Sequence, residues 1–545
     1  MIRLSKKMRW QLPLAIAALA FQVSCNKQQP KVANQAPQEQ KQVVVSNKLR
    51  INIGDEPNSL DPAKARDLRS ITLVRMLFDG LTRVGKDDKV EMAIAEKVDV
   101  SEDKLTYTFT LRDANWSNGD RVTAEDFLYA WRRALDPNSP ADNAFQLYAI
   151  KNAYEIKSGN FEMEELGVNI IDEKTLQVEL EQPTPYFLEL ASYPVYYPIN
   201  AKVDQENPNW SHSPETYVGN GPFALAEWKH EDCITMKKSS TYWDQKTVHL
   251  EEISMYMLQS ETELSMFENH EIDWAGSPLS VLPIDALGKL KSENLLQKKP
   301  VLGTYFLRLN TENSFLGSSN IRKALSLSIN RDELVEHALA GSQVAASGYV
   351  PEIFGLRKGS YFQGDNRHEA IKYFEEGLDE LTLTRAEVPQ LEIIYPNSER
   401  NQRIAQLLQE RWQKVLGIKL NLFAMEPKVY FEKVAQGNYE IAAGSWMADF
   451  NDPIAFLEIF KNKKAGANHT HWESQEYASL IDSCAMAVDV AERTQMLAQC
   501  EKILIESMPV IPLFHYNLLY IKDSKLQDVF ISNMGVMDFR WAKFQ

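Results

Sequence analysis

Several features that would assign a chemistry directly are absent from this sequence. There are four cysteines in 545 residues, without a CxxC pair or the ligand spacing of a zinc site. No nucleophile elbow, Walker loop or HExxH motif occurs. The net charge of −16 argues against a nucleic-acid partner, which would need a basic face. We therefore expect no cofactor, no bound metal and no nucleic acid.

Long apolar runs are also absent after the N-terminal segment, because none reaches the roughly 20 residues of a membrane-spanning helix. Hydrophobic residues make up 44% and charged residues 25% of the chain, which is ordinary for a soluble globular protein of two or three domains. Of the cysteines beyond residue 30, Cys484 and Cys500 lie in consecutive helical patterns. They could pair with each other or remain buried free thiols.

The first 25 residues have the layout of a secretion signal. Four basic residues precede a short apolar run at 10–23, which is followed by Ser24 and Cys25. A cysteine at this point resembles the acylation site of a bacterial lipoprotein, although Gln22 stands where leucine is usual. We expect a signal peptide over 1–25 and a lipid on Cys25; plain secretion or a retained anchor are the alternatives.

Residues 26–48 are rich in Gln, Asn, Lys and Pro and contain too little apolar surface to fold. This composition predicts a flexible tether. A tether after a lipidated cysteine fits a periplasmic or other extracytoplasmic protein that is anchored to a membrane and works in the adjoining aqueous space.

The rest of the chain predicts a mixed α/β fold. Residues 106–113 alternate as a strand, and Thr123 with Asp126 forms a capping box that opens a helix. In the second half, the strand at 390–396, the amphipathic helix at 400–417 and the strand at 418–425 indicate an α/β lobe. The first half is richer in strands, so two lobes are expected.

Seven stretches in order resemble the peptide-binding proteins of ABC importers, from about residue 50 to about residue 540. The stretches are NIGDEPNSLDPAKARD, LRDANWSNGDRVTAEDFLYAWRRALDP, VGNGPFALAEW, STYWD, GTYFLRLNT, IRKALSLSINRDEL and GSWMADFNDPIAFL. The resemblance implies a two-lobed, three-domain periplasmic-binding-protein-like fold whose hinge consists of two crossover strands. By that resemblance, domain I comprises 49–75, 196–302 and 518–545, domain II comprises 76–195, and domain III comprises 303–517.

The resemblance also implies a function. A monomeric, lipid-anchored protein would capture an extended oligopeptide between its lobes and deliver it to an ABC permease, without catalysing a reaction. Backbone pairing with protein strands would give affinity without reading the peptide sequence. Contact of the ligand with both lobes would favour a closed state.

The candidate site centres on the stretch SWMADFNDP. The resemblance makes Asp449 the acceptor of the ligand's α-ammonium, with Trp446 as a wall beside it and Met447 as a further ligand contact. A carboxylate in a closed cleft can meet a compact ammonium with charge-assisted hydrogen bonds. Alternatively, Asp449 accepts backbone N–H groups within its own loop, with Asp452 as a second cap.

Four further positions are ligand-binding candidates, each with a structural alternative. Glu56 matches a family residue near the start of the peptide, or is a turn residue at a strand end. Tyr516 matches a cleft aromatic, or is a core tyrosine. Phe145 lies in the domain II loop that usually offers an aromatic. Asn401 stands where oligopeptide binders often carry a histidine, or is an exposed helix start.

The sequence departs from its relatives at the other end of the ligand. Two arginines and a tryptophan that line the cleft in close relatives are replaced by Pro427, Val434 and Ala443. The ligand carboxylate would then be held otherwise, by Lys428, Lys433 or water.

Two other functions remain open at this point. The same fold hosts binders of other small ligands, including dipeptides, murein peptides, nickel chelates and haem. A hydrolase could use Asp449 and Asp452 as acid and base.

Overall fold

The computed structural model describes residues 47–545 except 142, 363–365, 464–466 and 488. The predicted signal segment, Cys25 and residues 26–46 of the predicted tether lie outside the described residues. Within the described part, no helix combines the length and the apolar character that crossing a membrane requires.

The described strands are mostly short, with two exceptions of 13 residues each, β12 and β17. In chain order they are β1 Lys48–Asn52, β2 Thr82–Val84, β3 Val90–Met92, β4 Ala95–Val100, β5 Thr106–Leu111, β6 Val168–Asp172, β7 Thr175–Glu179, β8 Phe223–Lys229, β9 Cys233–Lys238, β10 Glu252–Tyr256, β11 Trp274–Gly276, β12 Gln297–Leu309, β13 Val344–Ala345, β14 Leu391–Pro396, β15 Leu420–Met425, β16 Ile441–Met447, β17 Val510–Lys522, β18 Leu526–Gln527, β19 Phe530–Ile531, β20 Met537–Asp538 and β21 Lys543–Phe544.

The described helices are concentrated in the second half of the chain. They are α1 Leu68–Leu77, α2 Ala124–Leu135, α3 Ala153–Lys157, α4 Phe187–Leu190, α5 Ala201–Glu206, α6 Ser260–Glu268, α7 Ile284–Ser292, α8 Ser319–Leu327, α9 Arg331–Leu339, α10 Arg367–Glu380, α11 Glu399–Leu416, α12 Pro427–Ala435, α13 Ile454–Leu457, α14 Gln475–Met486 and α15 Val490–Ser507.

One large sheet contains strands from near the beginning and from near the end of the described chain. Its order is β15-β14-β16-β12-β17-β11-β1-β10-β9-β8, and β13 pairs with β17. The long strands β12 and β17 run antiparallel through both halves of this sheet, with a register shift between Pro300 and Thr304. β12 also pairs with β16 on one side of that shift, whereas β17 pairs with β11 on the other. These are the two crossover strands expected from the sequence.

A second, four-stranded sheet of order β4-β5-β7-β6 lies within residues 95–179. Helix α2 accompanies this sheet, and its predicted capping box of Thr123 and Asp126 is present. Phe127 and Trp131 on its inner face are completely buried, because the helix packs one apolar face against the core.

Helix α11 shows how local sequence sets an element's limits in the second half. The side chain of Ser398 caps its N-terminus by accepting from Asn401 N. Its C-terminus is closed by Gly417, whose φ of 76° is the left-handed conformation that glycine adopts without strain. The predicted helix at 400–417 is thus confirmed to within a residue at each end.

Candidate functional site

The candidate site lies where β16 leaves the large sheet. Ile441 and Ala442 are buried, while Ser445, Met447 and Asp449 are exposed in alternation. Because successive side chains of a strand point to opposite faces, Ser445 and Met447 share one face, and Asp449 follows two residues after the strand ends. Trp446 projects to the other face, is half-buried, and donates its indole N–H to the carbonyl of Ala455 at 2.8 Å.

The edge of β16 is unpaired just before this point. β14 pairs with β16 only at Ile393–Ile441 and Ile394–Ala442, and the carbonyl of the next residue, Ala443, accepts from the Tyr430 hydroxyl and from Arg308. Residues 444–447 have β12 on one side, and no strand of the described chain pairs with them on the other. An exposed strand edge of this kind is a template for an added, extended chain.

Asp449 has no partner within the described part of the chain: its carboxylate neither accepts a hydrogen bond nor forms an ion pair there. This argues against the alternative in which it caps its own loop. The side chain remains accessible to water, but the surrounding cavity walls limit its hydration, and this burial raises the pKa of Asp449 above its usual value. A carboxylate so placed is stabilised as the anion by a cation that enters the cavity.

Asp449 lines two adjoining cavities. The first, of about 390 Å³, is bounded by parts of the chain that are distant in sequence. Its charged lining residues are Arg66, Arg75, Asp88, Glu189 and Asp449. The second, of about 290 Å³, is lined by Asp449 with Phe145, Phe450 and Glu458 among others. The cleft therefore extends to both sides of the Asp449 carboxylate.

Two further carboxyl groups beside Asp449 have strongly raised pKa values. Burial, followed by repulsion from Asp452, raises the pKa of Glu189 to about 8. Burial, followed by repulsion from Asp449 and Asp452, raises the pKa of Glu458 to about 7. One oxygen of Glu189 is buried without a hydrogen-bond partner. No periodicity or motif in the sequence singles out either glutamate.

The carboxylate of Asp452 has partners within the protein, in contrast to that of Asp449. It forms a two-pronged ion pair with Arg493, at 2.7 and 3.0 Å, and caps Ile454 N at 2.9 Å. A carboxylate held in this way by a guanidinium is unsuited to serve as the second group of a hydrolytic acid–base pair.

The loop that carries Asp449 also contacts the part of the chain that contains the four-stranded sheet. Phe450 stacks on Tyr186, with ring centroids 4.2 Å apart and planes 10° apart. Asn451 donates to the carbonyl of Asp88 at 3.2 Å. The loop is therefore positioned by contacts from both sides of the cleft.

The structure places two of the other predicted residues at this cleft. Phe145 is 51% exposed and lines the second cavity, as a ligand contact requires. Tyr516, on β17, is next to Met447: a methyl group added at Gly303 would meet Met447 Sδ at 2.3 Å and Tyr516 Cδ2 at 2.9 Å. Gly303 therefore allows both side chains to lie over the sheet at this point.

The side chains of Glu56 and Asn401 already form hydrogen bonds within the protein. Glu56 accepts from Trp228, His230 and Glu231 N at 2.5, 2.9 and 2.7 Å, and lines neither cavity that Asp449 lines. Burial opposes ionisation of Glu56, but these hydrogen bonds outweigh it and lower its pKa.

Asn401 is 6% exposed, and both ends of its amide are used. It donates to the carbonyl of Pro396 at 2.8 Å and accepts from the Tyr305 hydroxyl at 3.0 Å. The structure thus gives a positioning role to this side chain, rather than the exposed helix start considered from the sequence.

The described residues contain no group of three or more His, Cys, Asp or Glu side chains arranged to hold a metal ion. Cys233, Cys484 and Cys500 are all free thiols, and the latter two are buried. The cleft therefore presents carboxylates, aromatic rings and an unpaired strand edge to its ligand.

Two halves of one sheet that are joined by two long strands, with a cleft beside the joint, define the class of two-lobed solute-binding proteins. Residues 89–468 match the family described as bacterial extracellular solute-binding proteins, family 5 Middle. The chain belongs to this family.

Individual relatives are similar to this chain in sequence and in structure. The chain is 40% identical over 504 residues to the oligopeptide-binding protein OppA of Bacillus subtilis, covering 91% of this chain and 92% of the relative. Among solved structures, it is similar to the unliganded open form of the periplasmic murein tripeptide-binding protein MppA, with a TM-score of 0.82, 27% identity and coverage of 92% of this chain and 97% of that one.

A peptide complex from the same family is similar to a lower degree. Haemophilus influenzae OppA bound to RPPGFSPFR gives a TM-score of 0.72 at 27% identity, with coverage of 92% of this chain and 99% of that one.

Proposed function

We propose that this protein captures oligopeptides in its interlobe cleft and delivers them to an ABC permease for import. One observation carries the proposal: the carboxylate of Asp449 has no partner in the described protein and stands at the end of the unpaired edge of β16. An extended peptide supplies both missing partners, its α-ammonium for the carboxylate and its backbone for the strand edge.

The domain boundaries expected from the sequence give this capture a mechanism. The sheet half with β8–β11 belongs to domain I, the four-stranded sheet to domain II, and the half with β14–β16 to domain III. β12 and β17 then form the hinge. The greater similarity to an open, unliganded relative than to a peptide complex supports an open starting state, which ligand contacts with both lobes would close.

The protein is monomeric and tethered in this proposal. Lipid attachment at Cys25 would hold it at a membrane, and residues 26–48 would let the folded lobes reach their permease in the extracytoplasmic space. Intact mass of the membrane-extracted protein tests the anchor. A protein of the mass expected without acyl chains would leave plain secretion as the alternative.

Calorimetry tests the ammonium anchor directly. Unmodified tripeptides and tetrapeptides are expected to bind, whereas their N-acetylated copies bind about 100-fold or more weakly, because removing one partner of a buried pair typically costs about 3–5 kcal/mol. Asp449→Asn should weaken the unmodified peptides by a similar factor. The matched control is Asp482→Asn, which changes an exposed carboxylate paired with Lys461.

Equal affinity for free and acetylated peptides would contradict the anchor. Native mass spectrometry of the purified protein gives an independent readout, because ligand retained in the cleft would be identified by its mass. A metal complex, a haem or a non-peptide small molecule found there would replace the peptide proposal.

A further inference from the structure

The ligand carboxylate has no evident receptor at the positions expected from the sequence comparison. Val434 and Ala443 are each 4% exposed, and Pro427 carries no donor. A different cation must therefore be sought along the unpaired edge of β16, on the side that leads away from Asp449.

Arg400 is an exposed cation that the fold brings to this edge, whereas Arg308, which also lies there, already donates to the carbonyl of Ala443 at 3.3 Å. Arg400 lies in the first turn of α11, which begins three residues after β14 ends. β14 is the strand that leaves the side of β16 after Ala442. The start of α11 therefore borders the space that an added strand would occupy, and the side chain of Arg400 is exposed there.

The surroundings of Arg400 are cleft residues. Its guanidinium carbon lies 5.8 Å from the ring centroid of Tyr305 and 6.0 Å from that of Tyr516. Burial raises the pKa of Tyr516, and this rise is opposed by the charge of Arg400 and by hydrogen bonds from Ser445 and Arg400. Tyr516 in turn shares the space over Gly303 with Met447. A continuous surface thus connects Arg400 to Asp449.

The charge of Arg400 is uncompensated in the described protein, where it forms no ion pair. Arg403, one turn along the same helix, pairs instead with Glu399. A guanidinium that rests on aromatic faces keeps its donors available for a carboxylate, which it can bind with two parallel hydrogen bonds.

The spacing between the two ends fits a short peptide. Ser445, which adjoins Tyr516, precedes Asp449 by four residues, of which the last two follow the end of β16, so the separation is at most about 13 Å at ~3.3 Å per extended residue. An extended ligand that pairs with the edge of β16 advances by the same amount per residue. Three or four residues therefore bridge the two charges.

We propose that Arg400 binds the C-terminal carboxylate of tripeptides and tetrapeptides whose α-ammonium is held by Asp449. This rests on the proposed function and extends it, because it selects ligands by a free C-terminus at a set distance from a free N-terminus. Longer peptides would pass Arg400 and place their carboxylate beyond it.

The test compares peptide acids with their C-terminal amides by calorimetry on the purified full-length protein. Amidation of tetraalanine is expected to weaken binding about 10- to 100-fold, the range for a hydrogen-bonded charged group. Arg400→Gln should weaken the acid by the same factor and leave the amide unchanged, and Arg400→Lys should restore part of the loss. Amidation of an alanine octapeptide should change affinity less than threefold.

Arg403→Gln is the matched control, since it removes an arginine from the same helix that is already ion-paired. Equal affinity of the wild-type protein for tetraalanine and its amide would overturn the role of Arg400, while peptide binding and the proposed function would stand. An equal loss of affinity for tetraalanine in Arg400→Gln and Arg403→Gln would also overturn the role of Arg400. If the wild-type protein binds neither the acid nor the amide, and N-terminal acetylation also leaves its affinity for other peptides unchanged, the proposed function itself fails.

Discussion

At the residue scale, the acidic groups of the cleft have different states that their sequence neighbourhood does not reveal. Asp449 and Asp452 are three positions apart, yet Asp452 is neutralised by Arg493 while Asp449 has no counter-ion in the described protein. Glu189 and Glu458 come from distant parts of the chain, and burial raises the pKa of both, with repulsion from Asp452 at Glu189 and from Asp449 and Asp452 at Glu458. Tertiary placement alone distinguishes the carboxylate of Asp449, which has no partner in the described protein, from that of Asp452, which caps its loop.

Glu189 predicts a pH-dependent stability. Its folded-state pKa of about 8 exceeds its ordinary value of 4.5, so the native protein retains a proton that the unfolded chain releases. The stability contributed by this proton is complete below pH 4.5 and is lost as the pH rises through 8. Glu189→Gln should therefore gain stability relative to wild type between pH 5 and pH 8.5, by about 2–4 kcal/mol.

Urea denaturation at pH 5, 7 and 8.5 measures this difference. Glu173→Gln serves as the control, because that glutamate is exposed. If the difference in the free energy of unfolding between wild type and Glu189→Gln does not change with pH, Glu189 titrates normally in the folded protein.

At the scale of elements, the C-terminal segment is fixed to the fold by a buried charge network. Arg540 is 2% exposed and contacts Asp79 and Asp538, each at 2.9 Å, and the hydroxyl of Tyr242 at 3.1 Å. Asp79 follows α1 and is completely buried. The network thus joins the last strands of the chain to the first helix.

Arg540→Met is expected to destabilise the protein by about 3 kcal/mol or more, because it leaves the buried Asp538 without its cation and leaves Asp79 with only the more distant Arg83, at 3.9 Å. Lys543→Met removes the partly exposed ion pair with Asp528, at 3.0 Å, and should cost no more than about 1 kcal/mol. Chemical denaturation of both variants checks the contrast. Similar, small losses would mean that the buried network is not a structural requirement.

Individual helices and strands show which element limits a local sequence pattern predicts and which it does not. Helix α2 and helix α11 were predicted closely, because caps and apolar periodicity are local signals. The sequence patterns TYFLRLNT at 304–311 and PVIPLFHY at 509–516 each predict a strand, but the strands in the structure extend over Gln297–Leu309 and Val510–Lys522. Their additional length lies in the crossover, where pairing between distant segments overrides the local pattern.

At the scale of the whole molecule, ligand capture should change the shape and the stability together. The similarity to an open relative predicts that a bound tetrapeptide closes the lobes and lowers the radius of gyration measured by small-angle X-ray scattering. Free peptide at 100 times its Kd should also stabilise the fold by about 2.7 kcal/mol. Asp449→Asn at the same peptide concentration is the control: with a Kd 100-fold or more weaker it is at most half-occupied, so it should gain no more than about 0.4 kcal/mol and show at most half of the decrease in the radius of gyration.

A peptide that stabilises the wild-type protein without any decrease in the radius of gyration would contradict lobe closure. It would leave capture intact but assign recognition to the arrangement already present in the unliganded protein.

The sequence by itself determined the family, the mixed α/β class and limits of helices such as α2 and α11, and it singled out Asp449 as a candidate, because these follow from local periodicity and from motifs that occur in a fixed order. Only the tertiary structure decided which polar side chains are free. It engages Glu56 and Asn401, and it leaves Asp449 and Arg400 without ion pairs at opposite ends of an unpaired strand edge. Whether a charged group is available depends on which distant residues surround it, and that is a property of packing.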